Sequence, residues 1–153
     1  MFGNIAQRLA GKNILITGAS TGIGYHTAKY FAEAAKGDLK LVLAARRKEK
    51  LEALKADLLK DYPSIKVHID VLDVSKVNTI APFLKSLPEE FAIVDVLVNN
   101  AGKALGLDAI GSVDSADVEE MFETNVLGMI QLTQLVVKQM KERNSGDIVQ
   151  LGS

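Results

Sequence analysis

The run Thr17-Gly18-Ala19-Ser20-Thr21-Gly22-Ile23-Gly24 follows a short apolar stretch and opens a helical pattern. A turn of this composition suits an anion. Gly18 permits a tight turn, Gly22 lets backbone approach a pyrophosphate, and Gly24 lets the helix pack closely on the sheet. The free N–H groups at the helix start, through Ile23, would hold the charge, with Ser20 and Thr21 adding hydroxyl donors.

Three further places carry chemistry. Ala44-Ala45-Arg46-Arg47 ends a second apolar run. In a nucleotide-binding βαβ unit that position faces the adenosine ribose, and an acid there selects the 2′-hydroxyl of NAD. Here a small residue and two guanidiniums replace the acid, and they suit a 2′-phosphate by charge and forked geometry, so the ligand implied is NADP. Arg47 also has a plain reading as the start of a solvated helix. Val98-Asn99-Asn100-Ala101-Gly102 puts two amides at the end of a buried run, where each needs a partner. They brace the turn or meet the ligand, and Asn100, Ala101 and Gly102 are the expected cofactor contacts. Asn125 sets an amide on an apolar stripe, four residues from both Met121 and Met129.

Five short apolar runs alternate with helical patterns, which is the signature of a parallel sheet covered on both faces. The strands are expected at Asn13–Thr17, Lys40–Ala44, Lys66–Leu72, Asp95–Asn99 and Asp147–Leu151. The helices fall near Gly22–Ala35, Lys48–Asp61, Lys76–Leu87 and Asp117–Arg143, with turns at Gly37-Asp38, Pro63-Ser64 and Ser145-Gly146. Right-handed crossovers give an α/β, Rossmann-type doubly wound sheet of order 3-2-1-4-5, ending after strand 5. Its ligand crevice lies where the order reverses, beyond the carboxyl ends of strands 1 and 4.

The glycine spacing, Gly-x-x-x-Gly-x-Gly preceded by Thr, together with Arg46, Asp73, Asn-Asn-Ala-Gly at 99–102, Asn125 and Ser153 in that order, resembles the short-chain dehydrogenase/reductase family. The resemblance implies that Asp73 and Val74 meet the adenine. Read alone, Asp73 is equally an N-cap for the helix near Lys76. It also implies that Asn125 holds a water in a proton relay and that Ser153 is the catalytic serine. Leu87–Phe91 and Gly102–Gly106 look like the NADP-dependent 3-hydroxy acid dehydrogenases of fungi and the serine dehydrogenases of bacteria. The implied activity is hydride transfer between NADP and the hydroxyl or carbonyl carbon of a small 3-hydroxy acid, of the serine or allo-threonine type. The family needs a Tyr-x-x-x-Lys pair on the next helix. Tyr25-x-x-x-Lys29 has that spacing but starts the pyrophosphate-side helix, so it is rejected, and the chain by itself is expected to be inactive. A noncatalytic NADP-binding module and an inert fragment are the alternative functions.

Composition bounds the rest. A length of 153 residues with 48% hydrophobic content points to one NADP-binding domain over residues 1–153, incomplete at its C-terminus. Eighteen basic against 19 acidic residues leave no field for nucleic acid or an anionic membrane, so the expected partners are a small substrate and further copies of the chain, as a dimer or tetramer. The absence of cysteine fits a reducing compartment, the expected address is the cytosol, and the two histidines have no metal-ligand spacing.

Overall fold

A computed structural model describes residues 4–105, 109 and 111–152. In chain order the elements are α1 (Ile5–Leu9), β1 (Asn13–Thr17), α2 (Gly22–Ala34), β2 (Lys40–Ala45), α3 (Lys48–Asp61), β3 (Lys66–Val71), α4 (Val77–Ser86), a 3₁₀ turn (Glu89–Phe91) and β4 (Val96–Asn99). They are followed by α5 (Ser115–Phe122), a π turn (Glu123–Gly128), α6 (Met129–Arg143) and β5 (Asp147–Gln150). The strands pair in parallel in the order β3-β2-β1-β4-β5, as expected.

The centre of the sheet is apolar on both faces because both faces are covered. Every residue of β1 and β4 is buried. Side chains of a strand alternate between faces. Ile14 and Ile16 therefore pack with Ala28 and Ala32 of α2 and with Leu51, Leu54 and Leu58 of α3. Leu15 points the other way, into a cluster with Leu97, Ile80 and Phe83 of α4, and Leu132 and Val136 of α6. The alanines on α2 let that helix sit close over the strand ends, which fixes where its N-terminus points.

Four features depart from the expected elements. Helix α1 and the 3₁₀ turn are additional, each shorter than a periodicity argument can register. The long helix starts at Ser115 rather than Asp117, behind an Asp114 N-cap that accepts from Ala116 N at 2.9 Å. It is also interrupted by the π turn, where a continuous α-helix was expected.

Below the sheet, at the amino ends of the strands, Asn13 is fully buried and donates from Nδ2 to the carbonyls of Phe91 (2.7 Å) and Ile93 (2.8 Å). Asp95 accepts from Asn13 N at 2.9 Å and from Arg143 Nη1 at 3.2 Å. These bonds align β1, β4 and the end of α6 before any of them reaches the upper rim. Asn13→Ala would strand a buried carbonyl at Phe91 and a half-buried one at Ile93, and is expected to lower the unfolding free energy of the intact protein by roughly 2–3 kcal/mol. Urea unfolding measures it, and a loss below about 0.5 kcal/mol, the size of an ordinary surface substitution, would contradict the role given to Asn13.

Candidate functional site

The carboxyl ends of β1–β4 open on a cleft of about 260 Å³. Four segments converge on it: Gly18, Ser20, Thr21 and Ile23 of the glycine turn; Ala45–Arg47 after β2; Leu72–Val74 after β3; and Asn100–Lys103 after β4. Thr124 of the π turn completes the wall. The sequence-derived candidates among the described residues thus meet at one place, except that Gly22 is exposed beside the lining, Gly24 is buried behind it, and Asn125 sits next to Thr124 rather than in it.

One hydroxyl ties this rim together. Thr17 Oγ1 donates to Val98 O (3.4 Å) and accepts from the N–H groups of Asn100 (3.1 Å) and Ala101 (3.0 Å), which uses its full hydrogen-bonding capacity. Asn100 returns the link, donating from Nδ2 to Thr17 O (3.0 Å) and Gly18 O (3.2 Å). The Asn100 amide therefore braces the glycine turn while lining the cleft. Asn99 is buried and donates to Thr133 Oγ1 (2.8 Å) and Gln150 Oε1 (3.1 Å), so it holds α6 and β5 beneath the rim.

The glycines divide their roles differently from expectation at one position. Gly18 has φ +65 and no room for a side chain, since a Cβ would fall 2.9 Å from Asn100 Nδ2. Gly22 has φ +57, and a Cβ there would meet nothing within 4 Å, so its backbone faces open space. A Cβ on Gly24 would collide with the Gly18 carbonyl and Asn100 Nδ2. Gly24 thus packs the helix on its own turn, not on the sheet, because Asn100 and Gly18 fill the space between them.

Arg46 and Arg47 are both exposed on the cleft wall. Arg47 is more than a solvated helix start: as the N-cap residue of α3 it donates from Nη2 to Thr21 Oγ1 at 3.1 Å, bridging the β2 end to the glycine turn. Asp73 does not cap α4, whose N-cap is Lys76. Its Oδ1 accepts from Ser75 N (3.1 Å) and Ser75 Oγ (2.7 Å), a local turn two residues ahead that captures the carboxylate first. Partial burial pushes the Asp73 carboxyl up, but the Ser75 hydrogen bonds and the charges of Lys103 and Arg46 outweigh it and hold its pKa below the ordinary value. The anion's contribution to stability is therefore present above the unfolded pKa and lost as pH falls through the depressed folded one.

Asn125 lies in the π turn, exposed, with both ends of its amide engaged. Its Oδ1 accepts from Lys103 N and its Nδ2 donates to Lys103 O, both at 2.8 Å. This clamp accounts for a polar residue on the helix, and it leaves one N–H and one lone pair of the amide for another partner. Gly128 ends the same turn against the Val74 carbonyl, with no room for a Cβ. Thr124 is 3% exposed, and its hydroxyl has no partner among the described residues. Reading the sequence missed Lys103, Thr124 and Gly128. Only a glycine inside a helical pattern could have signalled the last, as a site of close approach.

Other groups stay away from the cleft. Tyr25 packs against the α2–α3 side of the core, with its hydroxyl 3.4 Å from Asp57 Oδ2 and Lys29 Nζ 5.7 Å from its ring centre. His68 stacks near Phe91 at 5.5 Å. Burial lowers its pKa, Lys55 adds to that and Asp70 opposes it. Among the described residues, no group of three or more His, Cys, Asp or Glu side chains gathers to hold a metal, and no helix is long and apolar enough to cross a membrane. Ser153 and Gly106 lie outside the described residues.

Comparison with known proteins gives a consistent picture. A family model described as short chain dehydrogenase matches residues 12–153. The NADP-dependent 3-hydroxy acid dehydrogenase of Schizosaccharomyces pombe is 47% identical over 147 residues, covering 96% of this chain and 56% of that protein. The farnesol dehydrogenase of Aedes aegypti is 39% identical over 148 residues, covering 96% and 59%. A solved closed form of serine dehydrogenase complexed with NADP+ superposes with a TM-score of 0.82 at 37% identity, covering 92% of this chain and 54% of that one. The chain spans little more than half the length of the curated relatives it matches.

The crowding at Gly24 and the open space at Gly22 make a contrast in stability. Gly24→Ala is expected to destabilise the intact protein by roughly 2–3 kcal/mol through overpacking, against about 1 kcal/mol for Gly22→Ala, which suffers only its positive φ. Thermal and urea unfolding of the two variants check the order, and a larger loss at Gly22 would contradict it.

Proposed function

The chain belongs to the short-chain dehydrogenase family, and on that premise we propose that the intact protein is an NADP-dependent oxidoreductase acting on the hydroxyl or carbonyl carbon of small 3-hydroxy acids. The observation that carries the cofactor half is the convergence of the glycine turn with Arg46 and Arg47, with no acid at the end of β2. The residues fit such a ligand. Gly22 presents bare backbone to open space, and the first N–H groups of α2 have no acceptor within the helix. Thr124 keeps a buried hydroxyl without a partner among the described residues.

In this reading the glycine turn, with Ser20 and Thr21, holds the pyrophosphate. Arg46 and Arg47 bind the 2′-phosphate, Asp73 and Val74 border the adenine, and Asn100, Ala101 and Gly102 border the nicotinamide ribose. When bound, the nicotinamide supplies the hydride acceptor or donor. Asn125, held in place by its amide clamp on Lys103, orients a relay water. Ser153 hydrogen-bonds the substrate oxygen as that atom changes between hydroxyl and carbonyl. No tyrosine among the described residues lines the cleft, which supports the view that residues 1–153 alone turn over no substrate. Self-association through the long helix is supported by its exposed Val118, Phe122, Leu127 and Ile130.

The substrate half rests on likeness to the fungal 3-hydroxy acid dehydrogenase and to serine dehydrogenase. The likeness to a farnesol dehydrogenase sets the alternative that an assay must beat. Initial rates of the intact protein with serine, allo-threonine, farnesol, a sugar and a simple alcohol at equal concentration should be highest for the 3-hydroxy acids. A preference for farnesol would remove the acid substrate and leave the family standing. Arg46→Ala should weaken NADP by roughly 1.5–3 kcal/mol through loss of a charged hydrogen bond and leave NAD nearly unchanged. Calorimetry decides this, and equal weakening of the two cofactors would sink the phosphate assignment.

A further inference from the structure

We propose that Lys103 and Glu120 form a positioning pair that sets where the loop after β4 meets the long helix, and hence where Ala101 and Gly102 stand in the cleft wall. The inference rests on the function proposed above for that cleft.

Beyond Leu151 N, which bonds Asn99 O, no strand ladder among the described residues continues past β4 to hold residues 101–105. Their contacts with the long helix are few and come from one stretch of it. Asn125 clamps the N–H and carbonyl of Lys103, Met121 Sδ lies 3.2 Å from Leu105 N, and Lys103 Nζ forms an ion pair with Glu120. A two-point clamp on one residue fixes that residue but not its tilt about the pair of bonds. The ion pair supplies a third point, because the Lys103 side chain leaves its backbone and reaches back along the helix to Glu120. Glu120 and Asn125 are five apart, and the extra residue of the π turn brings positions so spaced toward the same side of the helix. The π turn therefore lets one loop residue be gripped by backbone at one level and by side chain at the next.

Burial makes this grip strong at one end. The Lys103 side chain is 10% exposed while that of Glu120 is 47% exposed. An ammonium so withdrawn from water is costly without its carboxylate, so losing Glu120 would drive Lys103 outward and turn the loop with it. Lys66 and Glu90 make the contrasting case, with 61% and 48% exposure at 2.7 Å, where water replaces a lost partner easily.

Lys103 also lines the cleft, so the rival role is direct attraction of the anionic cofactor. Steady-state kinetics and hydrogen–deuterium exchange on the intact protein separate the two. Lys103→Met and Glu120→Gln should each lower kcat by roughly tenfold to a hundredfold, the size of a misplacement effect, with KM for NADP within about twofold. Both should speed amide exchange in residues 101–105 by roughly tenfold as the clamp opens more often. Lys103→Arg should restore kcat to within about threefold, and Lys66→Met should change neither readout. Unchanged exchange in both variants would overturn the proposal, as would a rise in KM for NADP at constant kcat, which marks a direct anion ligand. Absence of turnover of any 3-hydroxy acid by the unaltered protein would instead overturn the proposed substrate, and the exchange result would still decide the pair.

Discussion

The Thr17 hydroxyl is the point on which the upper rim depends. Parallel strands end where their ladders end, and nothing in a ladder dictates the path of the chain beyond it. At the top of β1 and β4 that freedom is removed by one buried side chain that donates to Val98 and accepts from Asn100 and Ala101, while Asn100 answers through the carbonyls of Thr17 and Gly18. The glycine turn and the Asn-Asn-Ala-Gly turn thereby become one body. Gly24 then fits because no side chain intervenes between the helix and that body, and α2 must start where its free N–H groups face the cleft. Each step is a packing or satisfaction requirement, and together they shape an anion-facing surface.

Charge follows the same geometry. The cleft wall carries Arg46 and Arg47 against Asp73, which is already committed to Ser75, while the charge of Lys103 is paired with Glu120. Near neutrality over the whole chain thus conceals a local excess of positive charge. That excess gathers at the carboxyl ends of the strands, and Arg47 extends it across to the glycine turn through Thr21. A polyanionic ligand suits such a wall, because it relieves the repulsion between two neighbouring guanidiniums.

Much of this was legible in the sequence because it depends on local residue types. Continuous apolar runs marked β1 and β4, and short polar breaks separated them from helices. The right-handed crossover rule then left one strand order, so the convergence of Thr17–Gly24, Arg46 and Asn99–Gly102 followed from topology. What escaped depends on contacts across long stretches of chain. The π turn exists where Gly128 meets Val74 and Asn125 meets Lys103, and no local periodicity encodes either meeting. Asp73 is a local exception: it lines the cleft, but Ser75, two residues on, takes its side chain into a turn in place of a cap on α4. Gly24 was expected against the sheet, and only the three-dimensional position of Asn100 shows that the turn itself fills that space.

The rim braced by Thr17 and Asn100 is the proposed dinucleotide site, selective for a 2′-phosphate through Arg46 and Arg47. A crystal structure of the intact protein grown with NADP tests it most directly. The account predicts density for the pyrophosphate against the backbone at Gly22–Gly24 and for the 2′-phosphate between Arg46 and Arg47, with the Thr17–Asn100 bonds unchanged. Density for NADP at any other surface, with this cleft filled only by solvent, would contradict it.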